Sequence, residues 1–300
     1  MKRNVTLFSY LMVAPATILV LALSVFPMLA TLRDALYDRD LLRPASYGVP
    51  FVGFAHFRKL LFEEPRFWRA FSNTIMFVIL AVSVSTTLGL IMALVLNRDM
   101  RIRGMLRSLI LVPWVTPPVV ASGIWIWLFS ADRSPVNHVL RLLGLIQRPI
   151  GFLSDWQAEW GPVNLPMLSV TSVRVWRGLP FITIMVLAGL QSISQELYEA
   201  AQIDGANVWQ RFRYVTLPLI KPVLMVLITL NTINGLGVFD LHYIMTNGGP
   251  VDRTNVLSVL LYQSAFEFYK LGYGAAVGVL ILLMTGTIAA FYLRSVARRE

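Results

Sequence analysis

Residues 70–97, AFSNTIMFVILAVSVSTTLGLIMALVLN, contain no Asp, Glu, Lys or Arg. A helix needs about 20 apolar residues to cross the roughly 30 Å hydrocarbon core of a bilayer. Because lipid offers the backbone no hydrogen-bond partners, a segment of this kind is expected to be helical. Residues 70–97 are therefore predicted to form a transmembrane helix.

Five further stretches are equally free of charged side chains. They are Asn4–Leu32, Ser108–Ala131, Gly178–Gln195, Pro222–Phe239 and Leu271–Leu293. The third and fourth of these are short, and we expect their helices to extend past Arg177 and Lys221. Only 14% of the 300 residues are charged, whereas soluble domains carry about 25%. We predict an all-α membrane protein with six transmembrane helices and a single domain over residues 1–300. The first span is too long to be a cleaved signal peptide.

Positive side chains cluster beside alternate ends of these spans. They are Lys2, Arg3, Arg98, Arg101, Arg103, Arg107, Arg211, Arg213, Arg294, Arg298 and Arg299. With six spans all of them fall on one side, which the positive-inside rule makes cytoplasmic. The link Arg33–Arg69 is also basic, but its length lowers its weight in the rule. The net charge of +10 therefore indicates contact with membrane lipid and not with nucleic acid. We expect a multi-pass protein of the bacterial cytoplasmic (inner) membrane with both termini inside.

The polar segment 194–218 lies between two spans on the predicted cytoplasmic side. A capping box starting at Ser192 predicts the start of one helix, and Gly205 suits its left-handed end. Asp204 is a candidate cap for a second helix. The segment is therefore predicted to form two short helices that meet at Gly205. A bent connector lying on the membrane surface is the alternative that these residues leave open.

Several chemistries have no supporting residues in this sequence. It contains no Gly-x-x-x-x-Gly-Lys-Ser/Thr phosphate loop and no cysteine, and its three histidines (His56, His138 and His242) are scattered. We therefore expect no catalytic residue, no metal site and no cofactor in this chain. No Asp, Glu, Lys or His lies in the middle of a predicted span, which argues against an ion-coupled carrier. A secondary carrier or channel for a small polar solute is the alternative function, since a membrane enzyme would lack a catalytic set.

The segment 194–218 resembles a known family. Glu-Ala-Ala-x-x-x-Gly at Glu199–Gly205, followed by Leu217-Pro218, is similar to the signature of permease subunits of ABC importers. The fuller form, with Asp204 and Ala206, resembles the carbohydrate-uptake branch. Other stretches resemble the maltose-type and glycerol-phosphate-type sugar permeases, and the likeness covers most of residues 50–280. These stretches are Phe51–Phe57, Phe67–Thr74, Val175-Trp176, Pro180-Phe181, Ala188–Ile193, Phe239-Asp240, Thr246–Pro250 and Leu271–Ala276. Unlike the maltose-type subunit, this chain has no large inserted outer domain.

The resemblance implies a type I ABC importer permease that forms half of a translocation pathway for a sugar-like substrate. Its expected partners are a second, homologous permease subunit, a dimer of ATPase subunits that holds ATP and Mg, and an extracytoplasmic solute-binding protein. The chain itself would be non-catalytic. Residues 194–218 would form the cytoplasmic coupling loop, which contacts the ATPase through Glu199, Ala200, Ala201, Asp204, Gly205, Ala206, Leu217 and Pro218.

Polar and aromatic residues near the predicted outer half of spans five and six are candidates for the substrate pathway. They are Asn231, Asn234, Phe239, Asp240 and Tyr243. Amides hydrogen-bond sugar hydroxyls and aromatic faces cover sugar C–H surfaces, although Asn in a membrane helix also commonly bonds a neighbouring helix. Arg174 and Arg177 either face an anionic substrate or lie at the outer interface, where they snorkel or act as a gate.

Overall fold

The computed structural model describes residues 12–155, 157–160 and 163–297. Lys2, Arg3, Arg298 and Arg299, which entered the charge argument, lie outside the described residues. The helices are α1 (Met12–Asp34), α2 (Ala55–Arg58), α3 (Pro65–Leu96), α4 (Arg103–Val115), α5 (Pro118–Leu128), α6 (Pro135–Leu142), α7 (Leu165–Gln191), α8 (Gln195–Ile203), α9 (Val208–Arg211), α10 (Leu217–Leu236), α11 (Asp240–Thr246), α12 (Leu257–Tyr262) and α13 (Leu271–Ala297). A short antiparallel ladder pairs β1 (Glu159–Trp160) with β2 (Val163–Asn164).

Within the described residues, five helical segments are long and apolar enough to cross a membrane. They are Met12–Asp34, Pro65–Leu96, Leu165–Gln191, Val208–Leu236 and Leu271–Tyr292. The pair α4 and α5 passes the same test together, which brings the number to six when the pair counts as one span. The prediction of an all-α membrane protein with six spans is confirmed in this sense. The fourth and fifth spans do extend past Arg177 and Lys221, as expected.

The third span is not the straight helix Ser108–Ala131 that its apolar composition predicts. α4 and α5 meet at a bend of 95°. Thr116 and Pro117 between them are extended, with ψ of 122° and 143°. A proline ring disfavours helical geometry in the residue before it. The consecutive prolines Pro117 and Pro118 therefore hold two residues out of the helix, and α5 starts again with Pro118 in its first turn.

Backbone contacts divide the chain into two units, and the first comprises residues 1–67 and 260–284. Within it, the backbone N–H of Gly272 donates to the carbonyl of Arg39 at 3.1 Å. A Cβ atom on Gly272 would lie 2.1 Å from the carbonyl oxygen of Tyr37. A Cβ atom on Gly274 would lie 2.8 Å from the Ala265 side chain. The glycines at the start of α13 therefore allow close approach within the chain.

The second unit comprises residues 68–259 and 285–300, and its core is formed by three long helices. The buried residues of α3, α7 and α10 that pack together are Ala93, Leu96, Ile182, Val186, Leu187, Leu190, Ile220 and Leu227. Gly89 permits the closest approach, since a Cβ atom there would lie 2.5 Å from Cγ2 of Ile182. Small residues at such crossings let helices pack closely, which is the main source of helix association in lipid.

Two sequence motifs that are far apart in the chain meet in this second unit. The Asn73 side-chain amide donates to the carbonyls of Asp252 and Asn255, both at 2.9 Å. The neighbouring Thr74 hydroxyl accepts a hydrogen bond from the backbone N–H of Leu257 at 2.9 Å. The start of the second span therefore fixes the loop that follows Thr246–Pro250.

Replacing Asn73 with alanine is expected to destabilise this unit by about 2–3 kcal/mol, because two carbonyls in the protein interior lose their donor. The apparent melting temperature of the solubilised chain should fall by about 5 °C or more. The matched control is Asn97→Ala, since Asn97 is exposed at the end of α3. Equal melting temperatures for the two variants would contradict this role of Asn73.

Candidate functional site

We refer to residues 194–218 as the corner loop. Its first helix, α8, begins at Gln195, and the Ser194 hydroxyl accepts a hydrogen bond from the backbone N–H of Glu196 at 3.3 Å. The predicted capping box at Ser192 is wrong, because α7 remains helical to Gln191 and Ser192 is its C-terminal cap. The next serine in the chain takes the capping role instead.

The corner itself lies at Gly205, whose φ is +79°. This left-handed conformation is the one predicted there, and glycine adopts it without steric cost. Asp204 ends α8, with its backbone N–H donating to the carbonyl of Ala200 at 3.0 Å. The prediction that Asp204 caps the second helix is therefore wrong. Asn207 caps that helix in a capping box with Gln210, which a search for Asn-x-x-Gln would have found.

The second helix of the corner loop is not short, contrary to the prediction. α9, a π turn at Phe212–Thr216 and α10 run together as the span Val208–Leu236. Pro218 has no backbone N–H to continue the ordinary helical pattern. The N–H of Leu217 instead donates to the carbonyl of Phe212, which is a π-type bond. The corner is thus joined to a membrane span without a break, so a displacement of the corner moves the span.

The two limbs of the corner are tied to each other by side chains. The Arg211 guanidinium donates to the Gln202 side-chain carbonyl at 3.3 Å. The hydroxyls of Tyr198 and Thr216 are hydrogen-bonded at 3.0 Å. These contacts join α8 to the start of the long helix, so the corner is a braced element and not a loose connector.

The predicted coupling residues lie at the surface of this corner. Glu199, Ala200, Asp204, Gly205 and Pro218 are exposed, and Ala201, Ala206 and Leu217 are half-buried. Apolar side chains stand beside them, with Ile203 87% and Trp209 66% exposed. Large apolar side chains that are exposed on one element can contribute to a surface that binds a partner. Ile203 and Trp209 were not among the coupling residues predicted from the sequence, because their exposure depends on how the corner folds.

The second candidate site is a cavity of about 400 Å³ between α7 and the end of α10, which we call the α7–α10 cavity. Its lining residues are Trp114, Arg174, Arg177, Gly178, Phe181, Leu230, Asn231, Asn234, Val238 and Asp240. Three of the predicted pathway residues, Asn231, Asn234 and Asp240, are therefore brought together. Phe239 and Tyr243 are not among the lining residues; their rings stack on each other at 4.8 Å.

The polar groups of this cavity are incompletely paired. Nη1 of Arg177 lies 3.7 Å from Oδ2 of Asp240. Nε of Arg177 is buried and has no hydrogen-bond partner among the described residues. The Asn231 side-chain amide donates to the carbonyl of Leu227 at 2.9 Å, which is the intrahelical role that such residues often have. Hydrogen-bonding capacity therefore remains for a polar ligand.

Trp114 and Phe181 form an aromatic wall of the cavity. Their rings stack at 6.0 Å with an interplanar angle of 24°. Trp114 was not selected from the sequence, because its position depends on the break between α4 and α5. Its only sequence signal is the neighbouring pair of prolines that causes this break.

Metal chemistry has no support in the part of the chain that the structure describes. No group of three or more His, Cys, Asp or Glu side chains that could hold an ion occurs among the described residues. His242 is fully buried, with its ring 4.5 Å from that of Phe77. Burial lowers the pKa of His242 to about 3, so its imidazole is neutral at physiological pH.

Known proteins with similar sequences are transport permeases. The trehalose/maltose transport system permease protein MalF of Thermococcus litoralis is 35% identical over 297 residues, which cover 98% of this chain and 95% of that protein. The sulfoquinovosyl glycerol transport system permease protein SmoG of Agrobacterium fabrum is 33% identical over 296 residues, which cover 98% and 92%.

A solved structure has a similar fold over nearly the whole chain. It is a bacterial alginate ABC transporter in complex with an alginate pentasaccharide-bound periplasmic protein, and it matches with a TM-score of 0.80 and 25% identity. The match covers 97% of this chain and 93% of that chain, which confirms the type I importer permease architecture. Residues 85–300 match the family described as binding-protein-dependent transport system inner membrane component. The chain therefore belongs to this family, the permease subunits of ABC importers.

Proposed function

We propose that this chain is the permease subunit of an ATP-driven importer for a sugar or sugar-like solute, that it forms half of the translocation pathway, and that the corner loop couples it to an ATPase. The observation that carries the proposal is the corner loop. It is braced, it exposes apolar side chains, and it continues directly into a membrane span. An element of this kind can transmit the motion of a bound partner to the pathway, since coupling requires rigid elements with two arrangements.

The proposed complex contains the partners that the family resemblance implies. A second permease subunit completes the pathway, two ATPase subunits supply ATP and Mg, and an extracytoplasmic binding protein delivers the solute. The alginate transporter structure, solved with its sugar-bound periplasmic protein, supports the last of these. This chain contributes no catalytic residue. Its cationic clusters support a topology with both termini and the corner loop in the cytoplasm.

A carbohydrate substrate is supported by the relatives and by the cavity. The relatives are named for trehalose/maltose and for sulfoquinovosyl glycerol, and the solved transporter imports alginate. The α7–α10 cavity offers the amides of Asn231 and Asn234 beside the stacked rings of Trp114 and Phe181. Sites with an apolar wall and a few oriented polar groups are typical of small-molecule recognition.

The proposal is tested by reconstituting the importer from its separate components. The binding protein that co-purifies with the complex is screened by thermal shift against sugars, polyols and sugar acids. The ligand it selects is then followed into proteoliposomes that hold this chain, the second permease and the ATPase. We expect uptake only with ATP, the ATPase and the binding protein present. Uptake by the permease subunits alone, driven by an ion gradient, would instead show a secondary carrier.

A further inference from the structure

The α7–α10 cavity has an excess of positive charge. Its ionisable lining residues are Arg174, Arg177 and Asp240, so two guanidinium groups face one carboxylate and the net charge is +1. Both arginines belong to α7, one of the helices that is apolar enough to cross the membrane. A charge in such a segment is costly unless it is paired. One negative charge is therefore missing among the described residues that line the cavity.

Arg174 makes no direct contact with a carboxylate of the described residues, although its charge interacts at longer range with those of Asp240 and Arg177. In the described part of the chain its guanidinium makes no hydrogen bond or ion pair, although it lies in the wall of the cavity. Gly178, one helical turn further along α7, provides the space that it occupies. A Cβ atom at this position would lie 2.7 Å from Nη1 of Arg174. The glycine therefore allows the guanidinium to lie along the helix and leaves its donors available.

Arg177 has an acidic neighbour but is not saturated by it. The distance of 3.7 Å between its Nη1 and Oδ2 of Asp240 exceeds the 2.7–2.9 Å of a charge-assisted hydrogen bond. Only 19% of its side chain is exposed, and its buried Nε has no partner among the described residues. A snorkelling arginine would instead place its guanidinium in water. The fork of donors on Arg177 therefore suits an oxyanion, which guanidinium groups bind in a bidentate manner.

We propose that the transported substrate is an acidic sugar, whose carboxylate, sulfonate or phosphate group binds between Arg174 and Arg177. The sugar ring contacts the stacked Trp114 and Phe181, and its hydroxyls bind Asn231 and Asn234. This inference rests on the proposed function and adds the charge of the substrate to it. The anion supplies the missing negative charge, and the aromatic rings and amides favour a sugar over a simple anion.

The inference is tested on the complete importer in phosphatidylcholine nanodiscs, which contain no anionic lipid. The probes are glucose, glucuronate, 6-deoxy-6-sulfoglucose and glucose 6-phosphate, which share one ring and differ at C6. The readout is the ligand concentration that half-saturates thermal stabilisation of the complex. We expect at least one acidic sugar to bind about tenfold or more tightly than glucose, the effect of one charge-assisted contact.

The variants Arg174→Gln and Arg177→Gln should each remove most of this preference. Arg177→Lys should retain part of it, because the charge stays while the bidentate geometry is lost. Gly178→Ala should weaken it by displacing the Arg174 guanidinium. The matched control Arg141→Gln, an exposed arginine on α6, should keep the wild-type preference. Because the preference is a ratio measured on one preparation, it does not depend on how much of each variant folds.

Two results would overturn the inference. One is equal affinity for glucose and the acidic sugars in the wild-type complex. The other is an arginine-dependent stabilisation by inorganic phosphate or by added phosphatidylglycerol without any preference for acidic sugars, which would indicate an anion or lipid site. In either case, ATP-driven uptake of a neutral sugar would leave the proposed function intact. Absence of ATP-driven uptake of any sugar would contradict the proposed function itself.

Discussion

Replacing Gly205 with proline is expected to reduce binding-protein-stimulated ATP hydrolysis by the assembled importer about tenfold or more, while the chain remains in the membrane. Gly205 has a φ of +79°, which proline cannot adopt because its ring holds φ near −65°. The corner must therefore open, and the Arg211–Gln202 contact between its limbs is lost. If the displaced corner lost only about 1.4 kcal/mol of binding free energy toward the ATPase, its affinity for the ATPase would fall tenfold.

The milder variant Gly205→Ala gives a graded test of the same idea. No atom lies within 4 Å of a Cβ atom at this position, so alanine would suffer only the backbone penalty of about 1–2 kcal/mol for the left-handed conformation. Its activity should lie between those of the wild type and Gly205→Pro. Gly104→Ala is the matched control, because Gly104 has ordinary φ and equally open surroundings. Wild-type stimulation in Gly205→Pro would show that the corner does not transmit force.

Replacing Gly272 with alanine is expected to destabilise the first unit by about 3 kcal/mol or more, at the upper end of the cost of overpacking. The new methyl group would lie 2.1 Å from the Tyr37 carbonyl oxygen and 3.0 Å from the Arg39 backbone nitrogen. Both are backbone atoms that cannot move aside by a change of rotamer. The hydrogen bond from Gly272 to the Arg39 carbonyl would be lost with the movement.

The measurement for Gly272→Ala is the yield and the melting temperature of the solubilised chain. Gly286→Ala is the matched control on the same helix, where no atom lies within 4 Å of the added Cβ atom. This control should melt at or above the wild-type temperature, since alanine favours the helix. A melting temperature of Gly272→Ala equal to that of the wild type would show that Gly272 does not lie as close to the Tyr37 carbonyl as the structure has it.

The membrane fold could be predicted because it is encoded in composition, whereas the details that failed depend on local geometry. Stretches such as residues 70–97 need only be long and uncharged to become spans. The pair Pro117-Pro118 indicates a break between α4 and α5. The apolar composition on both sides nevertheless favours a single continuous span, so the break was not predicted. The caps lie at Ser194 and Asn207 because Ser192 ends α7 and Asp204 ends α8, so neither predicted residue is free to start the next helix.

The two candidate sites differ in how far sequence reasoning could reach. The corner loop is contiguous, so its glycine turn could be assigned from a single motif. The α7–α10 cavity combines residues from α4, α7, α10 and α11, which only the packing of these helices brings together. Asn231 and Asn234 could be selected as polar residues in an apolar span, and Arg174 and Arg177 remained open between two interpretations. Only the structure brings the asparagines to the same cavity as the arginines.

Site-specific crosslinking shows whether an ATPase contacts this chain at the corner loop. The chain contains no cysteine, so Ile203→Cys introduces a single attachment point on the exposed corner. A benzophenone maleimide on this cysteine is photolysed in the assembled importer, and Val139→Cys on α6, which is 52% exposed in the native chain, serves as the control. We predict an adduct with the ATPase subunit from position 203 and none from position 139. No ATPase adduct from position 203 in a transport-active complex would show that the corner loop is not the contact with the ATPase.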